Sequence, residues 1–394
     1  MQRSTDRILT THTGSLPRSA ELTRLLVARD QGAAYDPTAL TAAIDGDLAR
    51  TVAAQLDAGL DVINDGEVPR VGFSTYVTER ISGFGGEGHR KPTLDTIKFP
   101  DYAAIGAKQI AEGGEVARVW NPPVAQGELR YDPEAVDARV ELDAFAAALA
   151  AEPRQPVETF VTAATPGIVS TTLLLDEANP HYRDHEEYVL ALAEVLRPEY
   201  ERIVAAGHVL QLDAPDLAME RVIMYGDESL DVFLDAVSLH VEAINRALVD
   251  IPKDRVRLHV CWGNWQGPHQ DDVPVAELLD RLYAARVGAF SIPFGNPRHE
   301  HEIRDLAAHP LPEGALLIPG VIDVTTNYLE HPELVAWRIE QAAAAVGDPS
   351  RVIAGTDCGL ATFASYEFVA QDVAWAKLAA LAEGARIASE RLFG

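Results

Sequence analysis

Apolar residues along this chain follow two alternating patterns. Short, nearly continuous apolar runs at residues 8–16, 61–68, 157–164, 208–213, 256–262, 289–294, 315–322 and 352–357 read as strands buried on both faces. Most are separated by longer stretches of helical spacing. In the first of these, Leu40, Ile44, Leu48, Val52 and Leu56 recur every fourth residue and form one apolar stripe. Asp36-Pro37 supplies a cap and a first-turn proline, and Gly59 ends the helix before the next strand. Ala206-Gly207 and Val287-Gly288 punctuate later helices in the same way.

Eight strands alternating with helices predict an α/β chain built as one (β/α)8 TIM barrel spanning residues 1–394. An open doubly wound sheet is the rival, but no G-x-G-x-x-G or Walker-type loop follows any strand. The rhythm breaks only at about residues 83–156. There a glycine-rich stretch from Gly83 to Gly88 opens an expected insertion after strand two, part hairpin at 119–131 and part helix at 133–151.

The 394 residues carry a formal net charge of −27, which repels phosphate backbones and anionic lipid and argues against nucleic-acid and membrane partners. The N-terminus, MQRSTDRILTTHTGSLPR, has no apolar signal region. Two cysteines are too few for a disulfide framework, so a cytoplasmic protein with reduced thiols is expected.

In a barrel of this kind chemistry sits at the C-terminal strand ends. Strand one ends in His12-Thr13-Gly14-Ser15, strand two in Asn64-Asp65-Gly66-Glu67, and strand four in Gln211-Leu212-Asp213. Strand five ends in His259-Val260-Cys261-Trp262, strand seven in Asp323 and strand eight in Thr356-Asp357-Cys358-Gly359. Both cysteines of the chain therefore lie at such ends. His259 and Cys261 share a side because side-chain direction in a strand has period two. Two thiolates and an imidazole form a donor set that selects zinc over magnesium or calcium. On spacing alone, two buried thiols acting as small hydrophobes fit equally well. Trp262 and Trp265 either roof a substrate or pack. His12 orients a substrate or Asp65, or belongs to the core. His299-Glu300-His301-Glu302 reads as a solvated helix start, and His269-Gln270-Asp271-Asp272 as a polar turn.

Taken together, these ends resemble the catalytic barrel of the cobalamin-independent methionine synthase family. The segment from His12 to Arg18, Asp65-Gly66-Glu67, Gln211 to Pro215, His259-x-Cys261 and Asp357-Cys358-Gly359-Leu360 follow the family's motif order over nearly the whole chain. The stretch from Asn296 to Glu302 resembles a methionine-synthase-like bacterial branch, and epoxyalkane:coenzyme M transferases are relatives with different chemistry. The resemblance implies zinc on His259, Cys261 and Cys358, and an amino-acid substrate gripped by the elements that carry Glu67, Gln211 and Asp213; Ser15 and Trp262 are further candidates for substrate binding. Asp323, Thr325 and His12 are the candidates for catalytic roles.

The chain also departs from the family. Pro293 stands where the resemblance implies a zinc carboxylate, and Thr325 where it implies a catalytic histidine. After Cys358 the sequence is Gly-Leu-Ala-Thr-Phe in place of a basic Gly-Leu-Lys-Thr-Arg. These differences argue against polyglutamyl methyl-folate as donor. The expected activity is zinc-dependent alkyl or methyl transfer to a thiol such as homocysteine. The alternatives are an epoxide–thiol transferase or thioether lyase, and a barrel retaining only ligand binding. Partners are a small thiol and an alkyl donor, with a homo-oligomer left open.

Overall fold

The computed structural model describes residues 1–112, 121–132, 138–366 and 368–394. Eight parallel strands build the barrel: β1 (Leu9–Thr10), β2 (Val62–Ile63), β3 (Glu158–Ala164), β4 (Val209–Asp213), β5 (Val256–His259), β6 (Ala289–Pro293), β7 (Leu316–Ile322) and β8 (Ile353–Thr356). They pair in the order β1-β8-β7-β6-β5-β4-β3-β2. All eight expected runs hold a strand, but the first two contain only two residues each.

The shortness of β1 and β2 has a local cause. At the seam between them, Asp61 replaces a backbone ladder with its side chain. Its carboxylate accepts from the Thr10 amide at 3.0 Å and takes a two-pronged contact from Arg7 at 2.6 and 2.7 Å. Its own amide donates to the Thr10 carbonyl at 3.2 Å, and Thr11 Oγ1 donates to the Val62 carbonyl at 3.0 Å. Hydrogen bonding thus continues around the circle although the regular ladder stops.

The helix Pro37–Asp57 forms as its stripe predicts. Asp36 caps it by accepting from the Thr38 amide at 2.9 Å, and Leu40, Leu48 and Val52 are buried. Gly59 follows with φ +87°, a left-handed turn that glycine adopts without strain. Between β6 and β7 the ring is completed by a 3-10 helix, Glu300–Ala307.

The insertion contains an antiparallel hairpin, Ile81–Gly85 with Val124–Tyr131, and helices Leu94–Lys98 and Pro100–Glu112. Val119 and Trp120 of the expected hairpin, and Pro133 to Asp137 of the expected helix, lie outside the described residues. The helix Ala138–Ala151 belongs to the barrel's ring and not to the insertion. It packs against the neighbouring ring helices Pro37–Asp57 and His185–Ala205, with Phe145 fully buried beside His208.

Apolar residues at the strand starts close the barrel floor, with Leu9, Ala289, Leu316, Ile318 and Ile353 forming one cluster and Val62, Phe160 and Val209 another. Polar chemistry is left to the opposite end. Among the described residues no helix is long and apolar enough to cross a membrane.

Candidate metal centre

The extension of β5 and the end of β8 bring His259, Cys261 and Cys358 together, with one ligand atom from each lying within 4.8 Å of the others. A tetrahedral zinc bound to sulfur at about 2.3 Å and nitrogen at about 2.0 Å sets its donors roughly 3.5–3.8 Å apart, so a small contraction completes a three-donor site. His259 is buried, and neither of its ring nitrogens has a hydrogen-bond partner. An imidazole excluded from water and left unbonded is costly unless another group engages it. The neighbouring Cys358 thiol draws the Cys261 thiol far below its usual range; burial opposes this and His259 assists. The same contact pushes Cys358 up. The donor chemistry fits a soft or borderline metal ion.

Pro293 supplies no ligand. The β5–β6 register pairs His259 with Ser291, and Pro293 follows two residues on, on the same side of its strand. The described residues contain no fourth histidine, cysteine or carboxylate grouped with the three.

Beside this cluster lies a buried carboxylate pair. Asp213 at the tip of β4 pairs in register with His259. Glu67, 3% exposed, follows β2 with φ +53°, a left-handed backbone conformation that a side chain other than glycine adopts at a cost. Its Oε2 has no partner, and its Oε1 fills the space of a side chain at Gly14, 2.3 Å from where a Cβ would be. Burial, and then the charge of Asp213, pushes Glu67 up to about 8. Burial pushes Asp213 up to about 6 against the pull of His259 and Gln211.

Arg18 holds the loops that carry these groups. Its guanidinium donates to the carbonyls of Glu67 at 2.7 Å and Ala361 at 2.8 Å, tying the loop after β2 to that after β8. Arg70 and Arg80 sandwich Tyr76 at 4.2 and 4.4 Å and pair with Glu141 and Glu199. Ser15 is buried against Gly359, where a Cβ would lie 2.0 Å from its Oγ; this sets it next to Cys358.

The remaining candidates are engaged elsewhere. His12 Nε2 meets Gln55 Oε1 at 2.8 Å, and burial holds its pKa down to about 3, so it is neutral and directed at the ring helix. Gln211 donates to Asp213 Oδ1 at 2.7 Å and to the Thr13 carbonyl, and accepts from Arg257 at 2.7 Å. The Trp262 indole donates to the Val273 carbonyl at 2.7 Å. Asp323 accepts from the Thr325 amide and hydroxyl, both at 2.8 Å, and from Thr326 Oγ1 at 3.2 Å, stapling its own loop.

His299 and Glu302 correct the expectation of a solvated helix start: they are 4% and 6% exposed. His299 lies flat on Trp262 with ring centres 3.9 Å apart, and its nitrogens meet Asp272 and Glu302, each at 3.0 Å. Asp272 also holds His269 at 2.9 Å, and His269 stacks on Trp265. The insertion closes over this loop. Asp95 accepts from the Trp265 indole at 3.2 Å and the His269 amide at 3.1 Å, and Tyr102 donates to the Gln266 carbonyl at 2.9 Å.

The family model for the catalytic domain of cobalamin-independent synthases matches residues 117–381, about two-thirds of the chain. The chain belongs to this family. A methionine synthase from Thermococcus kodakarensis is 26% identical over 385 residues, covering 96% of this chain and 93% of that protein. The 2-hydroxypropyl-CoM lyase of Xanthobacter autotrophicus is 25% identical over 364 residues, covering 85% and 82%. Among solved structures, a B12-independent methionine synthase from Shewanella sp. W3-18-1 in complex with selenomethionine shares the fold. It has a TM-score of 0.70 and 19% identity, with 98% of this chain and 99% of that one covered.

Proposed function

We propose that this protein is a zinc-dependent transferase that moves an alkyl group, methyl in the simplest case, onto the sulfur of an amino-acid thiol such as homocysteine. The observation that carries this reading is the placement of the His259, Cys261 and Cys358 cluster beside the buried Glu67–Asp213 pair, with Asp213 in register with His259. His259, Cys261 and Cys358 would hold the metal.

A zinc ion bound there supplies a Lewis acid that keeps an incoming thiol ionised at neutral pH. A free thiol with pKa near 8.5 is only about 3% ionised at pH 7, so complete ionisation yields at most about 30-fold, or roughly 2 kcal/mol. The larger share of the acceleration falls to positioning, which can supply about 7–11 kcal/mol. In this chain Glu67 and Asp213 receive the ammonium group and so fix where the sulfur lies. The pair, sharing one proton near pH 7, complements an ammonium that displaces this proton and offers a sulfonate no counter-charge, which favours an amino-acid thiol over coenzyme M. Ser15, next to Cys358, borders the same space.

On the donor side, the Thr325 hydroxyl is held by Asp323 and titrates far from neutrality. His12 is neutral and held by Gln55. Neither can protonate a poor amine leaving group. The donor that suits such a site carries its own good leaving group, as a sulfonium or another activated alkyl does.

The test combines metal analysis of protein purified without chelator with a screen of thiols against sulfonium, methyl-folate and epoxide donors. Alkylation of homocysteine that disappears on metal removal and returns with zinc supports the reading. Turnover with coenzyme M and an epoxide, and none with amino-acid thiols, would replace it with epoxide–thiol transfer.

A further inference from the structure

We propose that Arg257 is a positioning residue for substrate recognition: acting through Gln211, it fixes the carboxylate of Asp213 that receives the ammonium group. This inference rests on the ammonium reading above and goes beyond it by naming the group that orients the carboxylate.

The ladder between β4 and β5 pairs Gln211 with Arg257 and Asp213 with His259. Because side chains alternate, this stacks two layers inside the barrel. Gln211 and Arg257 form the lower layer, and Asp213 and His259 the upper. Arg257 is 3% exposed and lies over the Phe160 ring at 3.4 Å. Its guanidinium donates to Gln211 Oε1 at 2.7 Å, Thr11 Oγ1 at 3.1 Å and the His12 carbonyl at 2.8 Å. These hydrogen-bond partners are all neutral, and no contact ion pair of Arg257 occurs among the described residues; Asp213 and Glu158 act on the buried guanidinium through charge alone.

The arrangement has a directional consequence. A guanidinium only donates, so the Gln211 side chain must turn its oxygen toward Arg257. Its NH2 then faces the other way, where it donates to Asp213 Oδ1 at 2.7 Å and to the Thr13 carbonyl. Reversing the amide would set N–H against N–H on one side and oxygen against carboxylate on the other. Arg257 thereby selects the single amide orientation that holds Asp213 with a donor. The same three contacts tie the tips of β4, β5 and β1 into one frame beneath the ligand.

The experiment measures calorimetric dissociation constants of homocysteine and of 4-sulfanylbutanoate, which lacks only the ammonium group, on zinc-loaded protein. Wild type, Arg257→Lys, Arg257→Met and Gln211→Met are compared, with metal content and melting temperature recorded for each. The natural chain is expected to prefer homocysteine. Arg257→Met and Gln211→Met should each reduce that preference tenfold or more with zinc content unchanged, and Arg257→Lys should recover part of the loss. Should Arg257→Met fail to fold, Gln211→Met alone decides. An undiminished preference in the folded variants overturns the role of Arg257 while sparing the ammonium reading. Equal affinity of the natural chain for both thiols overturns the ammonium reading and this inference with it.

Discussion

The carboxylate of Glu67 occupies the space that a side chain at Gly14 would take, with Oε1 2.3 Å from where that Cβ would stand. The motif after β1 therefore needs glycine for a reason that lies in the loop after β2: it makes room for a buried, strained acid whose second oxygen has no protein partner. Such an arrangement costs stability and is understandable when a ligand completes it.

Glu67 should accordingly discriminate between thiols by charge. Glu67→Gln is expected to weaken homocysteine binding by about 1.5–3 kcal/mol, the range for a hydrogen bond to a charged group, and to leave 4-sulfanylbutanoate unaffected. There is also a protonic signature. Burial and Asp213 lift Glu67 to about 8, so near pH 7 it holds a proton that an arriving ammonium displaces. Calorimetry in buffers of different ionisation enthalpy should show homocysteine releasing up to about one proton more than 4-sulfanylbutanoate. Equal release by the two thiols would contradict the assignment.

The donor cluster makes its own prediction. Cys261→Ser and Cys358→Ser should each lower bound zinc well below one per chain, read by elemental analysis after gel filtration. Because both thiols are needed for a soft donor set, retention of a full equivalent by both variants would remove these residues from the site.

The loop behind Cys261 should respond to pH with a definite sign. Burial works against charged His269 and His299, but Asp272, joined by the Trp265 carbonyl and Asp95 for the first and by Glu302 for the second, outweighs it and raises both. A raised histidine contributes stability that is complete below its unfolded value of about 6.5 and is lost as pH climbs through the folded value. Asp272 is shifted the other way: burial raises it, the two imidazoles more than compensate, and its contribution fades only as pH falls below the usual carboxylate range. Amide exchange of residues 262–275 should therefore speed up between pH 6 and pH 8.5, after correction for intrinsic rates, and His299→Gln should flatten that response. An identical pH response in the variant would assign the stability of the loop to other contacts.

Strand order and the placement of the two cysteines are legible in the sequence because burial on both faces leaves long apolar runs, and period two carries His259 and Cys261 to one side. The bounds of β1 and β2 are not, since Asp61 satisfies backbone groups with its side chain and composition does not reveal that. Glycine and the break in rhythm locate the insertion. Its end is misread because Ala138–Ala151 joins the ring only through packing on helices distant in sequence. His299 looks solvated from its charged neighbours, yet Trp262 and two carboxylates bury it. Arg257 gives no signal at all: an arginine in an apolar run is recognisable as a barrel-interior cation only once its register with Gln211 is known.

Pro293 at the end of β6 and Thr325 on the loop after β7 bear on the two reactants separately. Pro293 lies two residues beyond Ser291, the ladder partner of His259, and on the same side of its strand, so Pro293→Glu introduces a carboxylate as a fourth donor toward the metal. Zinc should then be held more tightly against a competing chelator, and homocysteine should bind more weakly because the new carboxylate occupies the position the thiol takes. Thr325→His acts on the other reactant. Imidazole titrates near neutrality where a hydroxyl does not, so it can protonate an amine leaving group. The natural chain should transfer methyl from a sulfonium but not from methyl-folate, and Thr325→His should allow slow transfer from methyl-folate with a pH profile falling above the imidazole pKa. Efficient transfer from methyl-folate to homocysteine by the unmodified chain would show that another group delivers the proton. Asp323 is the first to test, because its carboxylate already gathers the hydrogens of Thr325 and Thr326.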